Sequence, residues 1–498
     1  MKPPQFFQER GCVRSTSRST PTVRTGCGWV FDPSRAPFGL RQRRATLYPQ
    51  FAVGSVAASP LALELVRSLR NAIPRYGVPA ICATVIACAC LLPRLGEAQA
   101  YQGPQPLAAY DFELTNYSRL EPTTAVAHLQ RRIERGEVKL ARDEQFGYLM
   151  SLLKELNVSP ASQLLVFSKT SLQRPHISPK HPRAIFFNDA VCVAWIPGAP
   201  MIEILSVDPK LGAVFYTLDQ AERPATRMQR DNRCLECHVS PRTLDVPGPL
   251  IRSFQTSSEG EVDLLSGSPQ INHATPLHER WGGWFVTGDY GGLVHRGNKF
   301  SPAERIQREP ESNATPDLNA LGRSGDLSLY PRPSSDIVAL MIFEHQIQMQ
   351  NLLTRLNYES EAALRQSGHV RSLNHLSEAF LNYLMFADEV PIPGRIEGDR
   401  EFASWFEAQG PRDKQGRSLR QLDLKTRLFK FPCSYMIYSD AFERLPYPMR
   451  QHLYHRLWAI LTGEDRSAEY QKLPAETKRA IFEILAETKP NLPAYWNL

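Results

Sequence analysis

The chain has 498 residues, 42% of them hydrophobic, with 58 Lys+Arg against 51 Asp+Glu and a formal net charge of +7. The positive excess is local. The first 100 residues hold 13 of the basic and 4 of the acidic side chains, so the rest carries 45 against 47, a net of −2. Nucleic acid and anionic surfaces are thereby excluded as partners.

Residues 1–65 mix Arg, Ser, Thr and Pro, as in Arg14-Ser15-Thr16-Ser17-Arg18, with no sustained apolar period. An unstructured or mistranslated leader is expected there, with the true start near Val66. An export signal follows over 66–100. Arg67, Arg70 and Arg75 precede the apolar run from Val78 to Leu92, and Ala98-Gln99-Ala100 is a small-x-small cleavage site. The run is shorter than the about 20 residues of a membrane span, so no integral span is expected. Cleavage before Cys88, in Val85-Ile86-Ala87-Cys88, is the lipoprotein alternative.

The remaining chain, about 400 residues, suffices for two or three core-bearing units. Residues 101–180 read as an N-terminal helical region, with apolar spacing over 121–136 and 143–156. Residues 181–330 open with four short apolar runs: Ala184–Phe187, Val191–Trp195, Met201–Ser206 and Ala213–Leu218. Turn residues separate them (Asn188-Asp189, Pro197-Gly198, Asp208-Pro209), which predicts an antiparallel meander.

The pentapeptide Cys234-Leu235-Glu236-Cys237-His238 comes directly after it. Two thiols three residues apart, followed at once by histidine, form the attachment signature of c-type haem. On a helical turn both thiols face one side and each can bond a vinyl group, while His238 reaches the iron as proximal ligand. A half zinc site lacks a second Cys-x-x-Cys to complete it, and a redox dithiol does not require the histidine.

Five of the nine cysteines lie in the first 100 residues; Cys192 and Cys433 are left over beside the motif. They read as buried thiols, with a disulfide in an oxidising compartment as the other option. The stretch Trp281-Gly282-Gly283-Trp284-Phe285-Val286-Thr287-Gly288 reads as a core strand entered by a Gly-Gly bend, or as a wall of the haem pocket.

The sixth iron position decides between a carrier and small-molecule chemistry. His295, bracketed by Gly291, Gly292 and Gly297, is the first candidate for a second metal ligand. His273, in Asn272-His273-Ala274, and His345, between Met341 and Met349 on a helix, follow it. Each has the ordinary alternative of a core or surface histidine. Residues 331–498 form a helical C-terminal region, with amphipathic spacing over 336–356, 373–386, 400–409, 435–442, 449–461 and 475–487. The expected fold class is therefore α+β and mostly helical, a small antiparallel meander beside the haem-bearing segment followed by helices.

Several blocks carry a resemblance: Pro182-Arg183-Ala184-Ile185-Phe186-Phe187-Asn188-Asp189, the Cys234–His238 motif, Glu279-Arg280-Trp281-Gly282-Gly283-Trp284, His295-Arg296-Gly297-Asn298, Phe343-Glu344-His345-Gln346 and Pro432-Cys433-Ser434-Tyr435. Together they resemble a group of exported bacterial cytochrome c-like proteins with one haem site, over nearly all of the chain beyond the signal. The resemblance implies a periplasmic protein with one covalent haem c and its iron, and leaves the substrate open. The expectation is electron transfer with a redox partner protein. A monohaem oxidoreductase, peroxidase-like or acting on a small substrate, and a haem gas sensor are the alternatives.

Overall fold

The computed structural model describes residues 116–221, 227–300 and 326–497, all within the compact unit that begins at Ala98. The leader, the export signal and Cys88 lie outside the described residues.

The meander is a six-stranded antiparallel sheet in sequential order. Its strands are β1 (Leu164–Val166), β2 (Arg183–Phe187), β3 (Val191–Trp195), β4 (Met201–Asp208), β5 (Gly212–Asp219) and β6 (Met228–Arg230). Four of these match the apolar runs; β1 and β6 are additions. β1 falls inside the stretch expected to be helical. Three apolar residues are too few to show a period, and its place is fixed by pairing Leu164 with Ile185.

Both faces of the sheet are covered, which is why its inner strands read as nearly continuous apolar runs. On one face Val193, Trp195, Ile204, Val214 and Leu218 pack with helices α1 (Ala125–Glu134) and α2 (Leu149–Glu155). α2 begins later than its spacing predicts, because Asp143 closes a turn with Gly147 and its side chain takes the amides of Gln145 and Phe146. On the other face Ile185, Phe187 and Cys192 join a larger core.

The centre of that core is a 31-residue helix running Ile337–Ser367, about 46 Å long at 1.5 Å per residue. Asp336 caps it through the Ala339 amide and Gly368, at φ 74°, ends it. It is buried on nearly every side over its first two-thirds. Its polar residues Glu344, His345, Gln346, Gln350, Asn351 and Arg355 therefore need partners in the surrounding loops. In chain order it is α4, since α3 is the single turn Leu235–His238 within the pentapeptide.

The remaining helices are α5 (Asn374–Leu384), α6 (Arg400–Ala408), α7 (Asp440–Arg444), α8 (Tyr447–Thr462), α9 (Ala468–Gln471) and α10 (Ala475–Thr488). The run over 435–442 is not one helix. Ser434 and Ser439 each cap a separate element, a 3₁₀ turn at Tyr435–Tyr438 and then α7. The mixed and mostly helical class stands, with ten α-helices beside the six strands among the described residues. No helix among them is long and apolar enough to cross a membrane.

Candidate functional site around the CxxCH turn

β6 delivers the chain to the pentapeptide. Asp231 donates its amide to the Phe215 carbonyl on β5 (2.9 Å) and accepts from the Arg233 amide (3.0 Å), which sets the 3₁₀ turn Asn232–Cys234. That turn runs straight into α3, and Leu235 is the residue packed inward against the core. Cys234 is left half-buried and Cys237 exposed, both as free thiols.

His238 ends α3 half-buried, with its ring 4.7 Å from that of Phe215. Its Nδ1 lies 2.8 Å from the Gly248 carbonyl oxygen. A carbonyl can only accept, so Nδ1 carries the proton. Burial pushes the imidazole down to about 4, against the pull of the Gly248 hydrogen bond, so the ring is neutral. Nε2 therefore presents a lone pair; among the described residues it has no partner, and it is not sealed from solvent.

The loop that carries Gly248 is held from two sides. The Gly248 amide returns a bond to the His238 carbonyl (3.0 Å), and Ser240 and Thr243 cap each other in the turn between them. From the core, Asn351 on α4 donates Nδ2 to the Pro249 carbonyl (3.1 Å) and Arg355 donates to that of Leu244 (3.1 Å). A Cβ on Gly248 would stand 2.1 Å from Asn351 Oδ1, so only glycine lets the loop lie this close to α4.

Burial pushes the Cys234 thiol up to about 12, with Asp231 and Glu203 adding to it. A redox dithiol needs its attacking thiol lowered. The turn thus offers two free thiols and one open imidazole nitrogen. No group of three or more His, Cys, Asp or Glu side chains is gathered as a metal site among the described residues.

Of the three other candidate histidines, His345 lies on α4, and His273 and His295 lie in the irregular stretch before it. His345 is fully buried and uses both ring nitrogens, Nδ1 at 2.9 Å from His273 Nδ1 and Nε2 at 2.7 Å from Ser434 Oγ. His273 keeps Nε2 unpartnered and stacks 3.9 Å from Tyr383. His295 is 4% exposed with neither ring nitrogen bonded, between Trp281 (5.4 Å) and Tyr290 (4.8 Å). Among the described residues, no hydrogen bond or ring contact joins it to His238. Trp281, beside His295, donates to Glu344 (3.0 Å), while the His238 loop docks at Asn351. Those two positions are about 10 Å apart along the helix axis.

The remaining blocks have structural work. Trp281-Gly282-Gly283-Trp284 is a turn, not a strand. Trp281 takes φ 64° and Gly283 φ 82°, and a Cβ on Gly282 would meet the Phe254 carbonyl oxygen at 2.3 Å. Arg280 and Glu344 form a buried ion pair, and Arg280 also donates to the carbonyls of Thr275 (2.7 Å) and His273 (2.8 Å). Asn298 exchanges two side-chain bonds with the Val286 backbone, each 2.8 Å. Cys192 and Cys433 are free, buried thiols, which burial pushes up to about 12. Sequence reasoning missed Gly248, Asn351 and Arg355, which position His238. The only sequence trace was an excess of polar residues on the inward face of a long apolar helix. No protein family, curated protein or solved structure matches the chain.

Proposed function

We propose that the protein is an exported c-type cytochrome that carries one covalent haem on Cys234 and Cys237 and transfers electrons. His238 is its proximal ligand. The observation that carries this reading is the state of that ring, with Nδ1–H spent on the Gly248 carbonyl and Nε2 left open next to two free thiols. A ligating histidine is oriented in this way by a hydrogen bond from its other nitrogen. Haem supplies the one-electron couple when bound. The chain's own part is to fix the ring through the loop on α4, hold a neutral imidazole at the iron side, and lay Phe215 against it. The exposure of Cys237 supports transfer to a partner protein at this surface.

In the carrier reading His295 is the second ligand, since both its nitrogens are unspent. A second reading, an oxidoreductase or gas sensor with an open distal position, is favoured by the absence of any contact between that ring and the motif.

The optical spectrum of the reduced protein, matured with haem-attachment machinery, separates these. Absence of covalent haem overturns the proposal. A low-spin spectrum indifferent to carbon monoxide supports the carrier, and a shift on adding the gas supports the open site.

A further inference from the structure

We propose that Arg252 is the counter-charge for a carboxylate of the bound cofactor, a propionate of the haem. The inference rests on the haem reading above and names a second anchoring group for the same site.

Arg252 follows Gly248 by four residues, which keeps it within about 14 Å of the glycine that holds His238. Its guanidinium lies 4.5 Å over the Phe254 ring. Nε donates to the Ser268 carbonyl (3.3 Å) and Nη2 to Ser268 Oγ, and among the described residues Nη1 makes no hydrogen bond. The titratable groups near it are Arg242 and the Cys237 thiol. Neither is a carboxylate. Arg183, Arg280, Arg355 and Arg420 are each paired with one, Glu203, Glu344, Glu359 and Asp189 respectively.

A half-buried guanidinium beside a second arginine, with no acid to answer it, is a site for an anion. A macrocycle bonded at Cys237 is tethered beside it and brings two carboxylates. The loop that Arg252 pins at Ser268 also carries Leu264 and Leu265, 66% and 96% exposed, apolar surface of the kind a porphyrin edge covers. Arg183 and Arg233 are already matched, by Glu203 and Asp231, and Glu236 is exposed on α3.

The test is the reduction potential of the haem-loaded protein between pH 5 and 8, in wild type, Arg252→Gln and Ser268→Ala. Pairing with Arg252 depresses that propionate's ionisation below this window, so the wild-type potential should vary less with pH than that of R252Q. In R252Q the propionate titrates within the window. Its negative charge favours the ferric state, so the potential should fall as pH rises. S268A loses only the anchor and should track wild type. An R252Q variant that keeps its haem and matches the wild-type profile overturns the proposal. Should R252Q fold without retaining haem, Arg252→Lys must restore attachment, and equal loss in both overturns it. Wild-type protein without covalent haem is a different result, which removes the haem reading itself.

Discussion

His238 and Gly248 hold each other through two hydrogen bonds. The Gly248 amide donates to the His238 carbonyl at 3.0 Å, and the His238 ring donates Nδ1–H to the Gly248 carbonyl at 2.8 Å. One residue's backbone thus fixes both the main chain and the side-chain orientation of the other. Asn351 and Arg355 on the long helix fix that residue in turn.

Gly248→Ala tests the arrangement directly. The added methyl would meet Asn351 Oδ1 at 2.1 Å and Thr243 Cβ at 3.1 Å, and neither atom can retreat without breaking a bond that holds the loop. Overpacking of this kind costs about 1–3 kcal/mol. Urea unfolding should show that loss, and haem content per chain should fall with it. Asn351→Ala opens the space and gives up one hydrogen bond, worth about 1 kcal/mol. The double variant G248A/N351A should therefore be more stable than the sum of the single losses predicts; additive losses would mean that Asn351 is not the obstacle.

The motif predicts a graded response to substitution. Cys234→Ala or Cys237→Ala leaves one thioether, so haem should still survive acid–acetone extraction, with an altered reduced spectrum. Removing both thiols should release it to the solvent. His238→Ala keeps both covalent bonds but should shift the haem from low to high spin if a second strong ligand is present. Retention of extraction-resistant haem by the double thiol variant would refute the assignment of these two residues.

How much of this was legible beforehand follows from range. The pentapeptide is contiguous and so carries its own signal, and the four inner strands announced themselves because both their faces are buried. The partners of His238 are not contiguous with it. Asn351 lies 113 positions downstream of His238, on a helix whose apolar pattern hides what its polar residues reach. His345 illustrates the same limit: Met341 and Met349 marked a helix face, but that face looks into the core, where His273 and Ser434 occupy both ring nitrogens. His295 and its flanking glycines fit close backbone approach, yet the structure shows Gly297 packed on Val286 and on the His295 ring itself.

Arg280 and Glu344 give a prediction about stability alone. Glu344 is fully buried, accepts from both Arg280 and the Trp281 indole, and its carboxyl is pushed up to about 7 by burial against the pull of Arg280. Glu344→Ala leaves a guanidinium without its counter-ion inside the core, a loss of about 3–5 kcal/mol. Arg280→Met/Glu344→Leu removes both charges and should recover much of that loss, since a buried pair is often replaceable by apolar groups. A double-mutant cycle in guanidinium chloride reads the coupling directly, and a double variant no more stable than E344A would show that the pair contributes beyond mutual neutralisation.

The buried histidine pair sets the acid limit of the fold. Burial holds His345 down at about 3 and His273 well below its ordinary value, with His345 and Arg280 adding to the latter. Both therefore stay neutral in the folded chain and take up protons near 6.5 when it unfolds. Because their folded values are depressed, the stability tied to them is present above about pH 6.5 and is lost as pH falls, at up to about 1.4 kcal/mol per pH unit for each ring. Glu344 and Glu389 act in the opposite sense. Burial pushes each up to about 7, so their contribution is present at low pH and is lost as pH rises through that value. Two rings and two carboxyls of opposite slope largely offset each other between pH 5 and 6.5, so the wild-type profile should be nearly flat there. His345→Asn keeps a hydrogen-bonding side chain but removes one titrating ring, so its stability should fall relative to wild type as pH rises from 5 to 6.5. Urea midpoints at four pH values between 5 and 7 decide this. Parallel profiles for H345N and wild type would mean that the ring already titrates in the folded state, and that the pair is not sealed from water.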